Sequence, residues 1–596
     1  TNRVGSVTGS RADQGNITVD GIDANDQATG QAFATTGNAP IDAIQEFRTV
    51  TANPAASEGR SSGGQIELIT KSGTNEFHGS LREYNRTAAT AANSFFNNKN
   101  GVERPQLTRN QFGGSIGGPL YLPHFGEGGP TYISGKDRMF FFFDYEGRRD
   151  AQGQSYTRIV PLPHLRNGSL AFVNRNPGCT ATSRLSTTPN CITILTPAQV
   201  AASNDPLHVG GNQALLDLLN QRYPLPNDLT VGDGVNTGGF RFNVPSHRAD
   251  NTYTGRMDFN ISNVQRLFVR ANKINAVQTD TVNSVAAQFP GDPETSQIVT
   301  GDWAVAVGHN WTLTPNFVNA ATVGITKSVL DFPNLFHPTL PNSYAFTPLS
   351  APFAGFNTQA REVPVWTYRD DVTWNKGSHG FSFGGSLKTI NQQTVLTSDY
   401  NFPTVGLGGS FPTSLGTSSA ANALRPATLL NSTTARNNFD SALAFLLGTI
   451  PSVSTRFNYD ASGNVLPLNT GRIRDWRYVE YEFYGQDNWK VRNDLTLTLG
   501  VRWHIYPSPY ETQGRQSIQN LDFETLFNTR VANGLAGIAT PSSEPFLVYD
   551  RGGKGNNARD FYDTDLNNFG PRVAFAWNPS VRSGLLGKLF GDRQTV

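Results

Sequence analysis

From Leu495 onward, apolar residues take every second position (Leu495, Leu497, Leu499, Val501, Trp503), while Thr496, Thr498, Gly500, Arg502 and His504 fill the alternate ones. Strand side chains point alternately to two faces, so such a run has one apolar and one polar face. A soluble sandwich strand shows the same period. Here, however, the pattern recurs along the chain with a strict asymmetry in its connections. Short polar turns are expected at Ile261 to Gln265, Thr312 to Asn316, Asn375 to His379 and Lys490 to Asp494, and long tracts rich in Pro, Gly, Asn and Ser at 151–247, 331–363, 393–470 and 509–566. Short turns on one rim and long loops on the other are the mark of a transmembrane β-barrel.

The composition fits that reading. Only 37% of the 596 residues are hydrophobic, so no stretch approaches the roughly 20 apolar residues of a spanning helix. A barrel needs only alternate residues to face lipid. A net charge of +1 without a Lys/Arg run argues against a nucleic-acid partner. The chain has two cysteines, Cys179 and Cys191, which flank a loop of Ser, Thr and Pro. With no C-x-x-C and no nearby His cluster, a disulfide is preferred over a metal or redox pair, and it implies an oxidising compartment.

Residues 1–75 differ from the rest. Asn16 to Gly21 and Gly63 to Gly73 read as short strands closed by Gly turns, and Ile41 to Phe47, preceded by Pro40, as a short helix with Ile41, Ile44 and Phe47 on one face. Val19-Asp-Gly21, Pro40 to Phe47, Ser57 to Gly64 and Thr70 to Gly79 resemble the plug of TonB-dependent outer-membrane receptors, in particular the Oar-like group with a carboxypeptidase-regulatory-like N-terminal domain. Arg109 to Pro119, Phe141 to Gly147, Tyr484 to Trp489 and Asn568 to Trp577 resemble that group's barrel segments, in the same order. The resemblance implies a mainly β fold: a small α+β plug (1–75, its C-terminal part) within a large antiparallel transmembrane barrel (76–596, its N-terminal half, about twelve strands). It also implies that the N-terminal domain, TonB box and closing strands lie outside this sequence. No signal segment opens it, and Leu589 to Val596 read as the start of another strand.

Candidate chemistry is sparse. Asp20, Asp23 and Asp26 sit in one Gly-containing turn and could ligate Ca²⁺, but the spaced final Glu of an EF-hand is missing and turn-capping is the preferred reading. The nine His are scattered, which argues against zinc, and no Walker-type phosphate loop occurs. Neither an enzyme nor a cofactor is expected. Arg256 and Asp258 share the parity that points into the lumen, as does Arg502; a plug-facing salt bridge is preferred to a substrate contact at Arg256 and Asp258. Trp311, Trp374, Trp489 and Trp577 near turn ends fit an interfacial girdle against outer-membrane lipid. The segments 210–223 and Ser441 to Gly448 read as a helix and an apolar island within outer loops.

The resemblance implies import of a large scarce solute (oligosaccharide, peptide or chelate), with the periplasmic TonB complex as partner. A passive porin or surface adhesin would share the barrel without needing residues 1–75, and a soluble carbohydrate-binding β protein would cover both strand faces with protein.

Overall fold

The computed structural model describes residues 7, 9–30, 40–51, 53–60, 63–93, 95, 98, 104–123, 131–281, 287–335, 344–354, 358–396, 404–408, 424–454, 457–460, 462–467, 470–539, 547–578 and 584–585. The stretch Leu589 to Val596, read above as a strand start, lies outside them.

The N-terminal unit is a mixed four-stranded sheet of β1 (Asn16–Val19), β2 (Ile22–Asp23), β3 (Ile44–Val50) and β4 (Gln65–Thr70), in the order β2-β1-β4-β3. Strand β4 runs parallel to β1 and antiparallel to β3. The expected helix over Ile41 to Phe47 is not formed. A single 3-10 turn, Ile41–Ala43, leads into β3, whose backbone groups find partners along β4. Pairing of the whole strand overrides the local helical spacing, and Ile41 and Phe47 are left 89% and 71% exposed instead of sharing a buried face.

The wall is one antiparallel sheet of fourteen strands. Two are short side pieces, Gln297–Thr300 and Tyr510–Glu511. The others follow chain order: β5 (His78–Thr87), β6 (Leu107–Pro119), β7 (Met139–Pro161), β8 (Thr237–Ser262), β9 (Gln265–Thr279), β10 (Trp303–Thr314), β11 (Phe317–Phe332), β12 (Gln359–Lys376), β13 (His379–Leu396), β14 (Arg472–Arg492), β15 (Leu495–Ile505) and β16 (Asn568–Trp577). Among the described residues β5 and β16 are the edges of an open sheet. The four expected turns join β8–β9, β10–β11, β12–β13 and β14–β15, and successive turns are tied along one rim by backbone bonds Thr312 to Val264, Asn375 to Asn316, Lys490 to Ser378 and Asn578 to Asp494, each 2.7–2.9 Å. That rim also carries a small hairpin of Tyr121–Pro123 and Tyr132–Ser134, between β6 and β7.

At the opposite rim the ladders run further than the sequence suggests. Strands β7 and β8 stay paired up to Pro161 and Thr237, so the first long connection is 162–236 rather than 151–247. At 23 and 26 residues, these strands are more than twice the roughly 10 needed to cross a membrane. Their upper halves carry a cap. Helix α1 (Gln213–Arg222) and helix α2 (Thr433–Leu446), from two different connections, share an apolar core with Phe172, Phe289 and Phe346. The island at Ser441 to Gly448 is therefore not an exposed tip, because Leu443, Phe445 and Leu446 are fully buried against α1 and its neighbours. Cys179 and Cys191 are bonded to each other within this cap, with Cα atoms 5.4 Å apart.

Candidate functional site

Parity along the wall decides what each side chain meets. On β15, Leu499 and Val501 are each 45% exposed on the outer face, while Arg502 is 4% exposed and faces inward. The inner face receives the N-terminal unit, and the contact is built from three ionic anchors.

The first is Asp20, in the tight turn between β1 and β2 at a positive φ of 48°. Its carboxylate accepts from Arg256 Nη1 at 2.9 Å and Thr70 Oγ1 at 2.8 Å, and Arg270 Nε lies 3.2 Å away. Arg256 also pairs with Asp258, which accepts from Ser72 Oγ at 2.7 Å. The second anchor is Asp23, whose Oδ2 is 3.1 Å from Lys388 Nζ and 3.8 Å from Arg60 Nε; both cations also meet Glu480. Burial pushes the Asp23 carboxyl up, but Lys388 and Arg60 outweigh it and hold the group below the usual carboxylate range. This contribution is thus present above the ordinary Asp pKa and is lost as pH falls through the lower folded-state value.

The third anchor is Arg502. It pairs with Glu482 and donates from Nη1 to the Ala56 carbonyl at 2.7 Å, while the Ala56 N–H donates to Gln486 Oε1 at 2.9 Å. Tyr506 donates to the other oxygen of Glu482 at 2.8 Å. Close approach requires glycine here: a Cβ on Gly59 would stand 1.9 Å from Arg502 Nε, and one on Gly324 of β11 would stand 2.6 Å from Ile22.

The cavity between the unit and the wall, lined by Asp23, Arg60, Lys388, Glu482 and Arg502 among others, holds about 130 Å³. That is well below the roughly 300–1,000 Å³ of pockets that enclose a drug-sized ligand. The interface is therefore a charged joint and not a chamber for a large solute.

Arg256, Asp258 and Arg502 thus fall in two different anchors, whereas Cys179 and Cys191 lie in the cap. Trp311, Trp374, Trp489 and Trp577 take the outward parity beside the turns, where Trp374 pairs with Phe317 and Phe381, and Trp577 with Leu495. Asp20, Asp23, Lys388, Glu480 and Glu482 were not expected as anchors. Asp23 also caps its turn, accepting from Asn25 N at 2.9 Å. Its carboxylate is committed to cations, and no group of three or more metal-ligating side chains occurs among the described residues. Hydrolase chemistry was not expected for want of a G-x-S-x-G, yet that spacing is present at Gly113–Gly117 and Gly59–Gly63. The first is continuous strand without the strand–turn–helix of a nucleophile elbow, and among the described residues Ser115 Oγ has its hydrogen bond with Ser80 Oγ, at 2.9 Å. The second includes residues 61 and 62, which lie outside the described ones.

An antiparallel wall wound in chain order, apolar outside and ionic inside, defines an outer-membrane β-barrel. The chain belongs to the outer membrane beta barrel domain family, whose model matches residues 69–586. It is similar to the TonB-dependent transporter Oar of Myxococcus xanthus, with 31% identity over 140 residues covering 23% of this chain and 12% of that protein. Among solved structures, the transporter YddB of Escherichia coli aligns over 96% of this chain and 52% of its own at 11% identity and a TM-score of 0.47. The ferripyoverdine receptor of Pseudomonas aeruginosa aligns over 94% and 48% at 11% identity and a TM-score of 0.41. The chain spans about half the length of these two structures.

Proposed function

We propose that this chain is the plug and part of the wall of a TonB-dependent importer, with residues 1–75 as plug and the wall beginning between Thr70 and His78. The observation that carries the reading is the joint itself. A porin needs no such unit, whereas here all three anchors hold residues 16–70 to inward wall positions. The joint is polar and small, so a path for a large solute requires the plug to shift, breaking ion pairs that reform against the same partners afterwards. Work from the periplasmic TonB complex supplies that shift; no covalent chemistry is required. The cap offers the outward surface on which an oligosaccharide, peptide or chelate is first bound.

The test is accumulation of labelled solutes from these three classes by cells carrying the intact receptor, with TonB active or disabled. The proposal expects one class to accumulate at least tenfold above background only with both. Uptake that persists without TonB and merely follows the external concentration would assign a porin instead.

A further inference from the structure

A second feature lies on the outer face of the wall, away from the plug. His309 on β10, Ala321 on β11 and Asp370 on β12 form one outward row of directly paired residues. Strands lie about 4.8 Å apart, so His309 and Asp370 flank Ala321 at about 5 Å on either side. Both stand at similar depth, five residues from the turn-side end of β10 at Thr314 and six from that of β12 at Lys376. Trp374 and Trp366 bracket Asp370 on its own strand, which puts the carboxylate well inside the apolar belt.

An ionisable group on a lipid-facing surface is unfavourable and rare unless paired. Another outward carboxylate of the wall has a cationic partner available: Asp487 bonds His379 Nδ1 at 2.7 Å, and that ring stacks between Phe381 and Trp489. Asp370 has a single hydrogen bond among the described residues, from Asn319 at 2.5 Å, and no ion pair. His309 has no hydrogen bond or ion pair there; its ring only approaches Trp311 at 6.4 Å. Both line an open groove of about 950 Å³ with Ala321, Val323, Tyr368 and Gly385.

We propose that this groove docks a second copy of the same chain within the membrane. The two-fold axis of a membrane dimer stands along the membrane normal and exchanges left and right at constant depth. An axis over Ala321 therefore brings His309 of each copy opposite Asp370 of the other, pairing both groups twice with one contact surface. Ala321 on the axis lets the walls approach closely. A patch that carries its donor and acceptor on opposite sides of a small residue is self-complementary, which a lipid tail does not require.

Cysteine crosslinking of the intact receptor in its native membrane tests this. Cys179 and Cys191 are bonded to each other and supply no thiol. Ala321→Cys should oxidise to a covalent dimer, whereas Val501→Cys, outward on β15, should remain monomeric. Asp370→Asn in the Ala321→Cys background should lower the dimer yield at least tenfold without unfolding the barrel, since it removes a charge from an apolar wall. Exchanging the pair (His309→Asp with Asp370→His) should restore the yield. Crosslinking of Ala321→Cys no greater than that of Val501→Cys, or a yield indifferent to Asp370→Asn, would show that lipid alone covers this face.

Discussion

A disulfide between Ala56→Cys and Gly500→Cys in the intact receptor is expected to reduce uptake to background, and reduction should restore it. A Cβ built on Gly500 lies 3.2 Å from that of Ala56. Disulfide Cβ pairs stand about 3.5–4.5 Å apart, so a few tenths of an ångström of adjustment closes the bond. The site lies beside the third anchor, where the Ala56 N–H and carbonyl are held by Gln486 and Arg502. The lock leaves the cap, the proposed surface for the solute, untouched, so the proposal expects binding to persist while transport stops. Single cysteines at either position serve as controls. Uptake unchanged with the bridge formed would mean that this part of the plug does not move away from β15.

The second large effect concerns the same anchor without a crosslink. Arg502→Ala leaves Glu482, 3% exposed, without its guanidinium and the Ala56 carbonyl without its donor. Breaking a buried pair from one side typically costs about 3–5 kcal/mol, because the remaining charge stays desolvated. We expect the double variant Arg502→Ala/Glu482→Gln to recover a good part of that loss, since a neutral amide tolerates the site better. Limited proteolysis of the plug segment in purified receptor reads both. Equal protection of Arg502→Ala and the native protein would show that this anchor does not hold the plug.

Much of the wall was legible in the sequence, because a period of two survives wherever one strand face meets lipid and the other a polar interior. It placed Leu499 and Val501 outward and Arg502 inward, and the four short turns followed from where the alternation broke. The anchors were harder to read. Lys388, Glu480 and Glu482 occupy inward positions, but nothing local pairs Lys388 with Asp23, which lies 365 residues earlier in the chain. A charge at an inward position deep in a wall strand was the available signal, and it was used only for Arg256, Asp258 and Arg502. The helical reading of Ile41 to Phe47 failed for a related reason: spacing over seven residues competes poorly with a ladder supplied by residues 65–70. The helix within 210–223 was legible from its spacing, but the shared cap core was not: it is assembled from several separate connections, so nothing local joined Leu219 of that helix to Phe445 of the island at Ser441 to Gly448. Loop composition also hid the upper halves of β7 and β8, whose polar side chains suit a ladder that continues beyond the membrane.

The most direct test of the account is single-channel conductance of the intact receptor in a planar bilayer with residues 16–70 deleted. A wall this wide encloses an aqueous lumen once its interior is vacated. The account predicts a closed native receptor and a large, steady conductance after the deletion, with the barrel still folded. A folded deletion variant that stays as closed as the native receptor would contradict the claim that these residues plug the pore.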